Sequence, residues 1–192
     1  MTFLIVGLGI FLGVHGLTMM RAPRAALIGK VGPGPYKGLY TLAAFAGLAL
    51  IIYGFGAARA AGYVQIWNPP RFLGHVTALL VTIAFISLAA AYAPNGKIKS
   101  TLKHPMLVGV KAWALGHLLA NGDLASILLF GGFLAWAVAS RISLKSRPDK
   151  VEPASAPWGI GDAIAIGGGL VATVVMAIWL HPLLIGVPAI LR

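Results

Sequence analysis

The sequence contains no cysteine among its 192 residues. Without thiols the chain forms no disulfide, iron–sulfur cluster, thiolate-ligated haem or covalently attached c-type haem, and the usual zinc sites are excluded as well. A metal ion or haem iron would therefore have to be bound through histidine.

Acidic residues are almost as scarce. The chain has four of them, all in or beside predicted connections: Asp123, Asp149, Glu152 and Asp162. Glycosidase-type acid–base chemistry, two-metal hydrolysis and carboxylate-relay proton pumping all require paired or buried carboxylates. The sequence offers no such pair, so these activities are excluded.

Charged residues of both signs make up only 10% of the chain, whereas 59% is hydrophobic. Soluble domains carry about a quarter charged residues, so this composition excludes a soluble enzyme and predicts a protein whose partner is the lipid bilayer. The formal net charge is +11. Its basic residues lie between apolar blocks and form no stripe on a polar element, which favours a role in membrane topology over nucleic-acid binding.

Six apolar segments approach the length of about 20 residues that a helix needs to cross a bilayer. They cover residues 2–20, 38–58, 72–93, 105–121, 124–140 and 163–180. The expected fold class is all-α, a polytopic membrane helix bundle with about six transmembrane helices. Pro182 at the start of 182–191 predicts a further short C-terminal interfacial helix.

We expect a single membrane domain over residues 1–192. Within it, residues 1–141 form a five-span block, residues 142–157 a proline-containing cytoplasmic linker, and residues 158–192 the last span and the C-terminal tail. The short sequence Asn121-Gly122-Asp123 predicts a tight turn between the fourth and fifth spans, with Asp123 capping the fifth helix.

Lysine and arginine are distributed unequally between the two sides of these spans. Eleven lie in the first, third and fifth connections, three lie on the other side, and Lys111 lies within the fourth span. The positive-inside rule then predicts an inner-membrane protein with both termini outside, in the periplasm of a Gram-negative host.

Five histidines lie at or within the spans. Placing an ionisable group in a bilayer costs free energy, so each histidine is expected to have a structural or functional role. Two histidines that share one metal must lie at the same depth. His75, His117 and His181 group toward the outer face, and His15 and His104 toward the inner face. Interfacial or hydrogen-bonded imidazoles without a metal remain the alternative interpretation.

The fourth span carries the most organised polar face. Trp113, His117 and Asn121 follow one another at intervals of four residues, with Gly109 and Gly116 nearby. This stripe could line a pocket into which a helix or a flat ring fits; interfacial and turn roles are the alternative. Lys111 either extends toward the interface or meets an anion such as a haem propionate.

The stretch that begins at His104 reads HP-x-L-x-G, then Trp113, His117, Asn121-Gly-Asp123 and Leu-Phe-Gly131. Together with a first span containing Gly-Val-His15 followed by arginine, it resembles the NnrU family of bacterial integral membrane proteins. One branch of that family is associated with denitrification and nitric oxide metabolism. A related branch, 15-cis-zeta-carotene isomerase, binds haem b through histidines and isomerises a polyene bond.

The resemblance implies haem b as the cofactor. Two of His75, His117 and His181 would ligate the iron, with His15 and His104 as second choices, and Trp113 and Asn121 beside the cofactor. A small apolar substrate or a diatomic gas would be the ligand, and the protein could be a haem-dependent isomerase.

A small transporter or accessory membrane protein without a metal is the alternative function. The heptads that begin at His104-Pro and His181-Pro agree at five of seven positions, as an inverted repeat of a transporter would.

Overall fold

The structure is a computed structural model that describes residues 1–147 and 152–189. Within these ranges the chain is helical, without a β-strand, and contains one isolated bridge between Gln65 and Asp123. The expected all-α class is confirmed. The helices are α1 (Thr2–Leu17), α2 (Arg21–Val31), α3 (Pro33–Ala60), α4 (Leu73–Tyr92), α5 (Lys97–Leu102), α6 (Pro105–Ala120), α7 (Leu124–Lys145), α8 (Ile160–Val175), a π-helical segment (Met176–Leu180) and α9 (His181–Ile185).

These helices form two compact units. The first unit contains Met1–Asn68 and Gly122–Ser146, and in it α1, α3 and α7 pack against one another. In the second unit, formed from the remaining residues, α4 packs against both α6 and α8. The predicted boundaries at residues 141 and 157 stay predictions. Residues 148–151 of the predicted linker and 190–192 of the tail lie outside the described residues.

Four helical stretches of the described chain are long and apolar enough to cross a membrane, and the number rises to five if α1 and α2 together form one span. The expected six spans are therefore not confirmed. The long stretches are Pro33–Ala60, Leu73–Tyr92, Leu124–Lys145 and Ile160–Ile185. Helices α1 and α6 have 16 residues each. At about 1.5 Å per residue they fall short of a hydrocarbon core of roughly 30 Å.

The helix of the first predicted span, residues 2–20, ends at Leu17. Helix α2 leaves α1 at an angle of 91°, and Pro23 lies in its first turn. A proline inside a continuous helix would clash with the carbonyl four residues earlier and has no N–H to donate, so the chain starts a new helix instead.

The last span continues further than predicted. In place of a separate helix over 182–191, the π-helical segment Met176–Leu180 leads directly into α9, which ends at Gly186 with a φ of +78°. The N–H of His181 donates to the carbonyl of Met176, five residues earlier. Because Pro182 has no N–H, a regular α-helical ladder is interrupted here, and the wider π turn accommodates it.

Glycines bring helix backbones into contact at particular positions. A Cβ on Gly7 would lie 2.7 Å from the backbone nitrogen of Ile51, and one on Gly47 would lie 2.7 Å from that of Phe11. The crossing of α1 and α3 therefore requires residues without a side chain. In the second unit, Gly109 and Gly116 of α6 face side chains and carbonyls of α4, so a helix and not a flat ring occupies this glycine face.

Both buried carboxylates of the described chain bind backbone N–H groups at helix starts. Asp123 accepts from the N–H of Ser126 at 2.9 Å, which confirms the predicted cap of α7. Asp162 accepts from the N–H groups of Gly159 at 2.9 Å, Lys97 at 3.0 Å and Ile98 at 2.7 Å. Asp162 thus connects the start of α8 to the start of α5.

Candidate functional site

The second unit contains four of the five histidines, namely His75, His104, His117 and His181. One hydrogen bond near His117 fixes the position of α4 along α6. Thr77 of α4 donates to the carbonyl of Gly116 at 2.7 Å and lies within reach of the carbonyl of Leu73 on its own helix at 2.9 Å. A hydroxyl that links two helices in this way sets their register.

His117 lies in the last turn of α6, within the polar stripe predicted from the sequence. Its Nδ1 lies 2.9 Å from the carbonyl of Trp113, and the rings of Trp113 and His117 are 5.4 Å apart. The side-chain amide of Asn121 donates to the His117 carbonyl at 2.8 Å. His117 therefore contacts Trp113 through its ring and Asn121 through its backbone carbonyl, along one helix face.

His181 follows the π-helical segment at the opposite end of α8 from Asp162. Its Nδ1 lies 2.7 Å from the carbonyl of Val187, beyond the turn at Gly186. This contact ties the imidazole to the chain that leaves the helix. Segments of π-helix are rare and occur frequently at functional sites, where they reorient a side chain.

A carbonyl oxygen only accepts hydrogen bonds, so the Nδ1 atoms of His117 and His181 are the protonated nitrogens. In the neutral ring the lone pair is then on Nε2. Metal-ligating histidines usually have this arrangement, in which a hydrogen bond from the second nitrogen fixes the ring. The two side chains also lie close enough for their charges to interact.

His75 differs from this pair because its side chain is exposed near the start of α4. Across residues 1–147 and 152–189, no three His, Cys, Asp or Glu side chains lie close enough to hold one metal ion. The three outer histidines thus form no three-ligand metal cluster.

The two inner histidines are placed differently. His104 occupies the N-cap position of α6 without a capping side-chain hydrogen bond, thirteen residues before His117, which is about 20 Å along a helix. His15 lies in α1 of the first unit. Lys111 of α6 is half-buried, and no residue of the described ranges pairs with it.

Two parts of this site were not predicted from the sequence. Thr77 has no motif around it, and the Val187 carbonyl depends on how the chain turns at Gly186. The contact between His117 and the carbonyl four residues earlier could have been predicted, because any helical histidine can reach the carbonyl one turn earlier. Pro182 likewise signals the irregular turn next to His181.

The helices and their hydropathy define a polytopic helical membrane protein. The chain belongs to the NnrU family: the family model described as NnrU protein matches residues 3–189. No curated protein and no solved structure is significantly similar to the chain.

Proposed function

We propose that the protein binds haem b in its second unit and that His117 and His181 are the iron ligands. The observation that supports this proposal is the shared geometry of the two imidazoles. Each has its Nδ1 tied to a backbone carbonyl, which leaves the lone pair on Nε2, and the two side chains are within electrostatic range of each other.

The residues present fit this cofactor. Neutral imidazole is the commonest protein ligand of haem b, and the chain has no cysteine for a thiolate or thioether link. Trp113 supplies an aromatic face beside His117. Asn121 anchors the end of α6, so that the ligand ring is held in place by its neighbours. His75 is a polar group of the same unit that does not ligate in this proposal.

The helices of the second unit offer few carboxylates for catalysis. Of α4, α6 and α8, only α8 carries a carboxylate, Asp162, and it lies 19 residues before His181, or about 28 Å along a helix. No carboxylate of these helices is therefore available beside His181 for acid–base catalysis. When bound, haem b supplies one-electron redox chemistry and an iron that can take a diatomic gas.

The role we infer is nitric oxide handling linked to denitrification, or redox-dependent isomerisation of an apolar polyene. Membership of the NnrU family favours the first, because the resemblance to that family implies a link to nitric oxide metabolism. The small number of acidic residues in the chain fits both roles, because neither nitric oxide nor a polyene needs a charged binding partner.

We also propose that the protein lies in the inner membrane with both termini outside. The unequal distribution of lysine and arginine, eleven against three, supports this orientation. Helices α1 and α6 must then cross the bilayer despite their length, which local thinning of the bilayer permits at a modest cost.

Absorption spectra of the purified protein, oxidised and reduced, test the haem proposal. Protein expressed with haem supplied should show a Soret band, which His117→Ala and His181→Ala should abolish or shift. The matched control is His104→Ala, because this residue lies at the other end of α6 and its loss should leave the spectrum unchanged. Absence of a Soret band from well-folded wild-type protein would refute the proposal and favour the metal-free transporter or accessory protein.

A further inference from the structure

We propose that the first unit binds the headgroup of a membrane quinone among α1, α3 and α7. His15, Tyr36 and Trp136, one from each helix, would supply the hydrogen bonds. This site is independent of the haem proposal, because all its residues belong to the first unit and the histidine pair belongs to the second.

Two polar atoms of the first unit are buried without a partner. They are the hydroxyl of Tyr36, whose side chain is only 7% exposed, and Nε1 of Trp136. A buried donor that makes no hydrogen bond costs about 1 to 3 kcal/mol, so such groups usually have a role in a native protein. Two unsatisfied donors on neighbouring helices are suited to a ligand that brings oxygen acceptors.

His15 supplies an acceptor to the same cluster. Its Nδ1 lies 2.7 Å from the carbonyl of Phe11, so this nitrogen carries the proton and Nε2 carries the lone pair. The cluster therefore offers two donors and one acceptor. The carbonyl oxygens of a quinone would accept from Tyr36 and Trp136, and a hydroxyl of the reduced quinol would donate to His15.

Aromatic rings lie around His15 and connect it to Tyr36, whose ring centroid is 6.3 Å from that of Tyr40. Phe11 stacks on His15 with ring centroids 4.2 Å apart, Tyr40 lies at 5.4 Å, and Trp136 stands at right angles to the imidazole at 5.8 Å. Flat conjugated ligands pack well against such rings. The guanidinium of Arg24 lies 5.7 Å from the Tyr36 ring and adds positive charge near the oxygen sites.

The position of the cluster within apolar helices favours a lipid-soluble ligand over other oxygen-bearing groups. A water molecule would satisfy the donors but make no use of the aromatic rings. A phospholipid headgroup is charged, and burying its charge among apolar helices would be costly. A quinone combines a small oxygen-bearing ring with an isoprenoid tail that stays in lipid.

Photolabelling tests the proposal. Protein in phosphatidylcholine nanodiscs is labelled with an azidoquinone, with decylubiquinone as competitor, and the labelled peptides are mapped by mass spectrometry. We expect saturable labelling within residues 1–68 and 122–146. Tyr36→Phe and Trp136→Phe should each weaken competition about three- to tenfold, the equivalent of one hydrogen bond.

Decylubiquinol should compete better than decylubiquinone, and His15→Leu should remove that difference.

Matched controls are available for both donors. Tyr53→Phe changes an exposed tyrosine of the same helix as Tyr36, and Trp179→Phe changes an exposed tryptophan of the second unit. Neither should alter competition. His117→Ala should also leave quinone binding unchanged, so a failure of the haem proposal would remain distinguishable from a failure of this one.

Thermal unfolding of ligand-free protein separates a binding role from a structural one. Tyr36→Phe removes an unsatisfied hydroxyl, so the variant should unfold at or above the wild-type temperature while it binds quinone more weakly. Unsaturable labelling, labelling confined to other segments, or unchanged competition in both donor variants would overturn the proposal. A lower unfolding temperature of Tyr36→Phe with unchanged competition would identify a buried water molecule as the partner of the hydroxyl.

Discussion

At the scale of single residues, Asp162 connects parts of the chain that are far apart in sequence. Its carboxylate accepts N–H groups from Gly159 in its own first turn and from Lys97 and Ile98, 65 and 64 residues earlier. Its side chain is 3% exposed. Close packing surrounds it, because a Cβ on Gly96 would lie 2.6 Å from the Asp162 oxygen Oδ2.

Replacing this carboxylate should destabilise the second unit. In Asp162→Asn the amide group presents one acceptor oxygen where the carboxylate presents two, and it loses the negative charge that favours helix starts. We expect a lower unfolding temperature in detergent than for Glu152→Gln. That control removes a carboxylate whose ion pair with Lys103 is solvent-accessible and contributes little. Equal unfolding temperatures of the two variants would contradict this role of Asp162.

The two buried aspartates also show how far residue roles follow from sequence. The cap at Asp123 was predicted, because its partner Ser126 lies three residues away and the signal is local. The role of Asp162 was not predicted, because two of its partners are brought to it only by the packing of α8 and α5 in the folded unit. Local hydrogen bonds follow from sequence, whereas distant ones need the fold.

At the scale of helices, the contact between α1 and α3 depends on glycine. Gly7, Gly47 and Gly54 lie where a side chain would collide with the backbone of the other helix. Gly9 and Gly13 have the four-residue spacing that is typical of close packing, yet nothing lies within 4 Å of a Cβ built on either. Which glycines pack depends on the rotation of each helix, which the pattern of small residues alone does not determine.

Two alanine substitutions on α3 should therefore have opposite effects. The new methyl group in Gly47→Ala would lie 2.7 Å from the backbone nitrogen of Phe11, and such overpacking costs about 1 to 3 kcal/mol. Gly56→Ala adds its methyl group in open space and should stabilise the helix by up to about 1 kcal/mol. Thermal unfolding in one detergent compares them, and a Gly47→Ala protein as stable as Gly56→Ala would contradict the packing described.

At the scale of the whole molecule, the number of crossings determines which side each connection faces. The long helices were predicted well, because a run of about 20 apolar residues is a strong signal. The predicted and observed numbers of membrane-spanning helices differ because α1 and α6 are only 16 residues long in the structure. The histidines stand out in the sequence because ionisable residues are rare in the spans. The backbone partner of His181 could not be predicted, because it depends on the turn after α8.

The absence of cysteine makes the orientation directly measurable, since single cysteines can be introduced without background. We expect Thr2→Cys and Ala61→Cys to react with a membrane-impermeant maleimide from outside. Lys30→Cys, Lys97→Cys and Ser146→Cys should react only after the cells are lysed. All five positions are exposed in the structure.

The same labelling reports on each short helix separately. If α1 and α2 do not cross, Thr2→Cys will be protected in intact cells. If α6 enters and leaves on one side, Ser146→Cys will react from outside. Either result would contradict the proposed orientation, and lysed cells provide the control that every cysteine can be labelled.

The π turn before His181 holds one residue more than a regular turn, so it can absorb a change of chain length. Each residue of an α-helix advances the chain by about 100° around the axis. Deleting one residue from the regular part of α8 would therefore swing His181 by about that angle. Deleting one residue from Met176–Leu180 would instead let the wide turn close into a regular one and would leave the azimuth of His181 nearly unchanged. Homologous chains that differ by one residue in this short stretch should therefore present the histidine in the same direction.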